Sequence, residues 1–219
     1  MSYSVMLGAT ESTWRDELKI RNSALIDGVH HAREMTTVSQ SVFSLLHLLL
    51  SYERGDQATL DLLVSSVVVY VPIVNVDGVA KIDEWYESSG NLYSVRKNRR
   101  NTGRCAAVDQ GVDLNRNYSF RFNYDNEGSS SDVCMQDYRG SSAFSEPETQ
   151  AMRDHVRELQ NVKIALNLHA YGSPTPLWIH PFCYTSDKSN PLLANSFAYA
   201  DQFYKEIATS LRLKEDYDF

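Results

Sequence analysis

The stretch that most restricts how this 219-residue chain can fold is Val67-Val68-Val69-Tyr70-Val71. β-Branched side chains that run on without alternating with polar ones belong on a strand covered on both faces. Such strands sit inside parallel or mixed sheets flanked by helices. Ala24-Leu25-Ile26, ending at Asp27-Gly28, and the run Val162 to Leu168 read as two further strands. Leu177-Trp178-Ile179-His180 is a fourth candidate.

Helical patterns lie between these runs. From about Glu34 to Tyr52, the residues Val38, Val42, Leu45, Leu46 and Leu49 recur at three- and four-residue steps, and Gly55 supplies a stop. Ser145-Glu146-Pro147-Glu148 has capping-box spacing, with Ser145 as N-cap of a helix reaching about Gln160. Asn190 to about Leu213 reads as a last amphipathic helix, with Leu193, Phe197, Ala200, Phe203 and Ile207 on one face. This alternation predicts a single α/β domain: a mixed, largely parallel twisted sheet with helices on both faces. The span from Asn75 to Ser145 is polar and lacks strong periodicity. Its aromatic residues, among them Trp85, Tyr93, Tyr118 and Tyr138, favour an ordered functional surface.

A net charge of −7 argues against a general nucleic-acid or anionic-membrane surface. No segment approaches the roughly 20 apolar residues that span a bilayer; Val42 to Leu50 is broken by Ser44 and His47. The first residues lack the basic and apolar regions of a signal peptide. Cys105, Cys134 and Cys183 form no Cys-x-x-Cys pattern, so they are either unrelated buried thiols or one bridge with one thiol left over.

The chemistry is concentrated in Gly28-Val29-His30-His31-Ala32-Arg33-Glu34 and Asn167-Leu168-His169-Ala170-Tyr171. His31 and Glu34 share a face when the backbone turns helically, and a second histidine, His169, completes three ligands for a catalytic zinc with open positions. His30 competes with His31, because it stands four residues before Glu34. Both histidine segments follow predicted strands, at the end of the sheet where ligands collect in such folds. Arg33 is placed to receive an anionic group. Asn115-Arg116 combines an amide with a planar fork of donors suited to a carboxylate. Arg96-Lys97-Asn98-Arg99-Arg100 is a basic run that is either functional or a solvated surface.

Together these segments resemble the zinc metallocarboxypeptidases of the carboxypeptidase A/B type. The resemblance rests on His31-Ala32-Arg33-Glu34, Val95-Arg96-Lys97-Asn98-Arg99, Gly111 to Asn117, Tyr138-Arg139-Gly140 with Ser145 to Thr149, and Leu168-His169-Ala170-Tyr171, all in family order. It implies His31, Glu34 and His169 as ligands of one Zn2+ per chain, with Asp113 orienting the first histidine. It implies Arg96 as the group that stabilises the oxyanion, and Asn115 and Arg116 as the grip on a peptide's terminal carboxylate. Arg33 and Tyr171 become further substrate contacts, and Cys105 and Cys134 a disulfide. It also implies a peptide C-terminus as substrate, and a secreted, extracellular or vacuolar-lysosomal location. In that family the general base is a glutamate well downstream of the last ligand. The chain is therefore expected to be an incomplete catalytic domain, truncated at both ends and inactive alone. The alternatives are a non-catalytic zinc- or peptide-binding protein and a zinc amidohydrolase of N-acyl amino acids.

Overall fold

The computed structural model describes residues 5–7 and 14–170. Tyr171, Cys183, the strand expected at Leu177–His180 and the helix expected from Asn190 lie outside the described residues. In chain order the elements are strand β1 (Val5–Leu7), helix α1 (Trp14–Ile20), β2 (Asn22–Gly28), α2 (Thr36–Glu53) and α3 (Gln57–Ser65). They continue with β3 (Ser66–Val71), α4 (Val76–Ser89), α5 (Pro147–Leu159) and β4 (Val162–Leu168).

The four strands form one sheet in the order β1-β3-β2-β4. β2 runs parallel to both β3 and β4, and β1 pairs antiparallel with β3. The mixed, largely parallel sheet expected from the sequence is present. Side chains alternate across it as the two-residue repeat requires. Leu25, Val67, Val69 and Val71 point to one face, where Leu18 of α1 and Met152 and Leu159 of α5 complete an apolar cluster. Tyr70 points to the other, fully buried, its hydroxyl 2.9 Å from Ser44 Oγ of α2. A tyrosine in an otherwise aliphatic strand is tolerated because that hydroxyl finds a partner. Among the described residues, no helix is long and apolar enough to cross a membrane.

Four elements escape the sequence pattern: β1, α1, α3 and α4. The Gly55 stop works in both directions. Gly55 adopts φ +71° at the end of α2. Asp56 then caps α3 by accepting from the backbone N–H and the hydroxyl of Thr59, each at 2.8 Å. α4 lies inside the span read as irregular. Asn75 caps it by accepting from Gly78 N–H at 3.0 Å, and Gly90 ends it at φ +69°. It seats only a narrow stripe of Val79, Ile82 and Trp85 against Ala32 and Val95. Three apolar residues at three-residue steps, among many charges, are a weak periodic signal.

The expected capping box is not formed. α5 starts at Pro147 with Glu146 as N-cap, and proline's fixed φ suits a first helical position. Ser145 Oγ instead accepts from Asn117 Nδ2 and donates to Glu146 Oε1, while Glu148 accepts from Asn98 Nδ2 at 3.3 Å. Tertiary partners have claimed both ends of the box.

Leu25 is 2% exposed and sits in the central strand, against α1 and α5. Leu25→Ala should lower the unfolding free energy by about 2–5 kcal/mol, measured by urea denaturation. A loss under about 0.5 kcal/mol would mean that this cluster is not the core.

Candidate metal centre

The site is built where β2 and β4 end. Gly28 closes β2 in a tight space: a Cβ there would meet Thr37 Oγ1 at 3.1 Å and the Pro72 carbonyl oxygen at 3.2 Å, so its neighbours would have to give way by a few tenths of an ångström. Val29 follows with φ +54°, a conformation that a β-branched residue adopts only under constraint. That constraint is visible. Val29 N–H donates to Thr37 Oγ1, and its carbonyl accepts from Asn75 N–H at 2.9 Å. The chain then turns so that Glu34 N–H donates to His31 O at 3.0 Å, placing the two side chains on one side.

His31 Nδ1 lies 2.9 Å from Glu34 Oε1, and His169 Nδ1 lies 2.8 Å from Glu34 Oε2. One ligand atom from each of the three residues falls within 4.8 Å of the others. His30 does not join them. Its ring is bonded to Asn167 and Tyr118, which settles the competition with His31 in favour of the latter.

The outer nitrogens of both histidines are held from a single turn. His31 Nε2 is 3.0 Å from Asp113 Oδ1, and His169 Nε2 is 3.2 Å from Asn115 Nδ2. Asp113 caps the 3-10 turn Leu114–Arg116 by accepting from Asn115 N–H at 3.0 Å, so these two partners are rigidly related. Asp113 Oδ2 also accepts from Arg96 Nε and Nη2, at 3.0 and 2.7 Å. Backbone bonds from Ala32 N–H to Arg96 O and from Arg33 N–H to Val95 O set that arginine alongside the metal-ligand turn.

The charges reinforce each other. Burial disfavours the Glu34 carboxylate, yet the hydrogen bonds to His169 and His31 outweigh it and hold the group ionised far into acid. Burial likewise works against Asp113, but His31 and Arg96 bring it down to about 2. Burial pulls His31 towards neutrality, and the bonds to Asp113 and Glu34 win, leaving the imidazole more basic than usual.

The basic run is a support and not a solvated face. Lys97 is fully buried, and its ammonium donates to the carbonyls of Val133 and Met135, both at 2.9 Å. Those carbonyls flank Cys134, which is disulfide-bonded to Cys105. Asn98 is buried too, and Arg100 Nε donates to both oxygens of Glu146 at 2.8 Å. Gly111 has φ +109° and comes so close to the Asn98 carbonyl that a Cβ would lie 2.0 Å from its oxygen. Arg116 spends Nε on Gly128 O and Nη1 on Asn115 O, and among the described residues no further hydrogen bond engages its other N–H groups. Arg33 Nη1 rests 3.3 Å from Ser94 Oγ.

The structure thus draws His31, Glu34, His169, Asp113, Arg96 and Asn115 into one connected group, with Arg116 beside it on the same turn. Sequence reasoning missed Lys97, Asn98, Tyr118 and Asn167. Asn167 carried a signal, as an amide in an otherwise apolar strand run. Two imidazole nitrogens and one carboxylate with open positions form a donor set that fits zinc, and partners on the far nitrogens are the usual support of such ligands.

The zinc carboxypeptidase family profile matches residues 5–217, and the chain belongs to that family. Carboxypeptidase B of Astacus astacus is 35% identical over 164 residues, which is 74% of this chain and 48% of the relative. An inactive metallocarboxypeptidase of Schizosaccharomyces pombe is 30% identical over 196 residues, covering 86% of this chain and 36% of its own. Among solved structures, thrombin activatable fibrinolysis inhibitor superposes with a TM-score of 0.65 at 26% identity, over 96% of this chain and 48% of that one. The chain spans less than half the length of each of these relatives.

Asp113 serves both the His31 imidazole and the Arg96 guanidinium with no exposed surface of its own. Asp113→Ala should therefore cost about 3–5 kcal/mol of stability, as breaking a buried ion pair does, measured by urea unfolding with metal removed. A near-neutral result would show that His31 and Arg96 do not depend on it.

Proposed function

We propose that the whole protein is a zinc-dependent carboxypeptidase that releases C-terminal residues from peptides. The observation that carries this reading is the convergence of both histidine Nδ1 atoms on one glutamate, beside Arg96 and on the same turn as Asn115 and Arg116.

In this reading His31, Glu34 and His169 hold one Zn2+. When bound, zinc supplies Lewis acidity, polarising the scissile carbonyl and lowering the pKa of a coordinated water toward ~7. Asp113 keeps His31 Nδ1 directed at the metal position by occupying Nε2. Arg116, with Asn115, holds the substrate's terminal carboxylate, a group that a planar fork of donors matches. Arg96 is already aligned by Asp113 and meets the negative charge that develops on the carbonyl oxygen, where a fixed donor contributes most. Arg33 and Tyr171 contact the substrate further from the cleaved bond. Glu34 and Asp113 are both committed to the cluster, and the resemblance to zinc carboxypeptidases implies a glutamate well downstream of His169 as the general base. Residues 1–219 taken alone are proposed to hold zinc and turn over peptides very slowly. The Cys105–Cys134 disulfide favours an oxidising, secretory or vacuolar-lysosomal location.

Metal analysis of the whole protein should give about one zinc per chain, abolished in His169→Ala. Arg96→Ala should keep the zinc and lose about 10²–10³-fold in kcat, the usual cost of removing one oxyanion donor. Because His31 must give up its proton to bind, and holds it more strongly than usual, zinc affinity should weaken as pH falls through the histidine range. Stoichiometric zinc in His169→Ala would overturn the ligand set. Cleavage of N-acyl amino acids in place of peptide C-termini would make the protein an amidohydrolase, and no hydrolysis of either would make it a binding protein.

A further inference from the structure

Beside the metal cluster lies a polar network for which the proposed reaction has no use. Asp27 and Asn167 are paired residues at the C-terminal ends of β2 and β4. His31 follows the first by four residues, and His169 follows the second by two. Asn167 Nδ2 donates to Asp27 Oδ1 and lies 2.8 Å from His30 Nδ1. His30 Nδ1 is in turn 3.2 Å from the same Asp27 Oδ1. On the other side of the ring, His30 Nε2 lies 2.7 Å from the Tyr118 hydroxyl. Asp27 and His30 are 5% and 2% exposed. The Tyr118 ring lies against His30 on one side and edge-on to Phe144 on the other.

The backbone ladder between β2 and β4 stops at Gly28 and Leu168. The ligands stand beyond it, where the backbone pairing no longer fixes how far apart the two chains run. Metal sites demand placement within about 0.5 Å. The described network is a cross-link next to that point: it ties Asp27 and Asn167, the second-last pair of β2 and β4, to His30, which is bonded covalently to His31. Its outer end is anchored by Tyr118, three residues after Asn115, whose amide holds His169.

We propose that His30 and Asn167 are positioning residues for the metal centre. Through Asp27 and Tyr118 they set the separation and orientation of the strand ends that carry His31 and His169. This inference rests on the zinc reading above.

The test is the zinc dissociation constant of the whole protein, measured by competition with a chromogenic chelator, alongside thermal melts of the metal-free forms. Asn167→Ala and His30→Phe should each weaken zinc binding by about 10–100-fold, the range seen when outer partners of metal ligands are removed. Tyr118→Phe removes one hydroxyl and should weaken it several-fold, and it keeps the question open to test if the other variants fail to fold. Ser44→Ala, which removes the Tyr70 hydroxyl's partner on the far side of β3, should leave the constant unchanged even where the melt is lowered. A parent protein that binds no zinc would defeat the zinc reading itself. A parent that binds, with variants matching it within about twofold, would overturn the positioning role alone. Equal weakening in Ser44→Ala would overturn it too, by reducing the effect to general destabilisation.

Discussion

One carboxylate with no exposed surface organises this site. Asp113 gives one oxygen to His31 and the other to Arg96, and the first oxygen also accepts from Asn115 N–H, capping the turn that carries Asn115 and Arg116. Four residues with different tasks are thereby referred to one side chain. Burying an ionised carboxylate is costly unless it is paired and hydrogen-bonded, and here both conditions are met by groups that the site itself needs. The ion pair is better understood as a means of alignment than as a source of stability.

The sheet supplies the other half of the alignment. Parallel pairing of β2 with β3 and β4 delivers two chain ends to the same edge, and the strained Val29 turns one of them towards the other. The long segment after α4 approaches from outside. It has little regular structure, so its precision comes from local devices: buried Lys97 on the carbonyls either side of Cys134, the Cys105 bridge, Asn98, and glycine at position 111. The backbone bonds from residues 32 and 33 to residues 95 and 96 join the two halves.

Much of the fold was legible in the sequence because its signals are local. The β-branched run became β3, and the apolar repeat of Val38 to Leu49 became α2. The short elements were not legible. α4 buries too narrow a stripe for periodicity to reveal, and α3 is defined by Asp56 and Thr59, two residues with no apolar pattern. The capping box at Ser145 failed for the opposite reason, since its local chemistry was present but stronger distant partners took it. In the site, the cluster of His31, Glu34 and His169 was anticipated by residue type and by strand position. Neither spacing nor composition distinguished Lys97 from an exposed lysine, because its burial depends on two carbonyls more than 30 residues away. The role of Asn167 likewise depends on which strand lies next to it.

The central claim is that two histidines and one glutamate of this chain hold the metal. Zinc K-edge X-ray absorption on the whole protein tests it most directly. Zinc in this protein should be surrounded by nitrogen and oxygen only, with two imidazoles at about 2.0–2.1 Å, and His169→Ala, which should hold no zinc, should give no such signal. A sulfur shell at about 2.3 Å, or a spectrum that His169→Ala leaves unchanged, would contradict it.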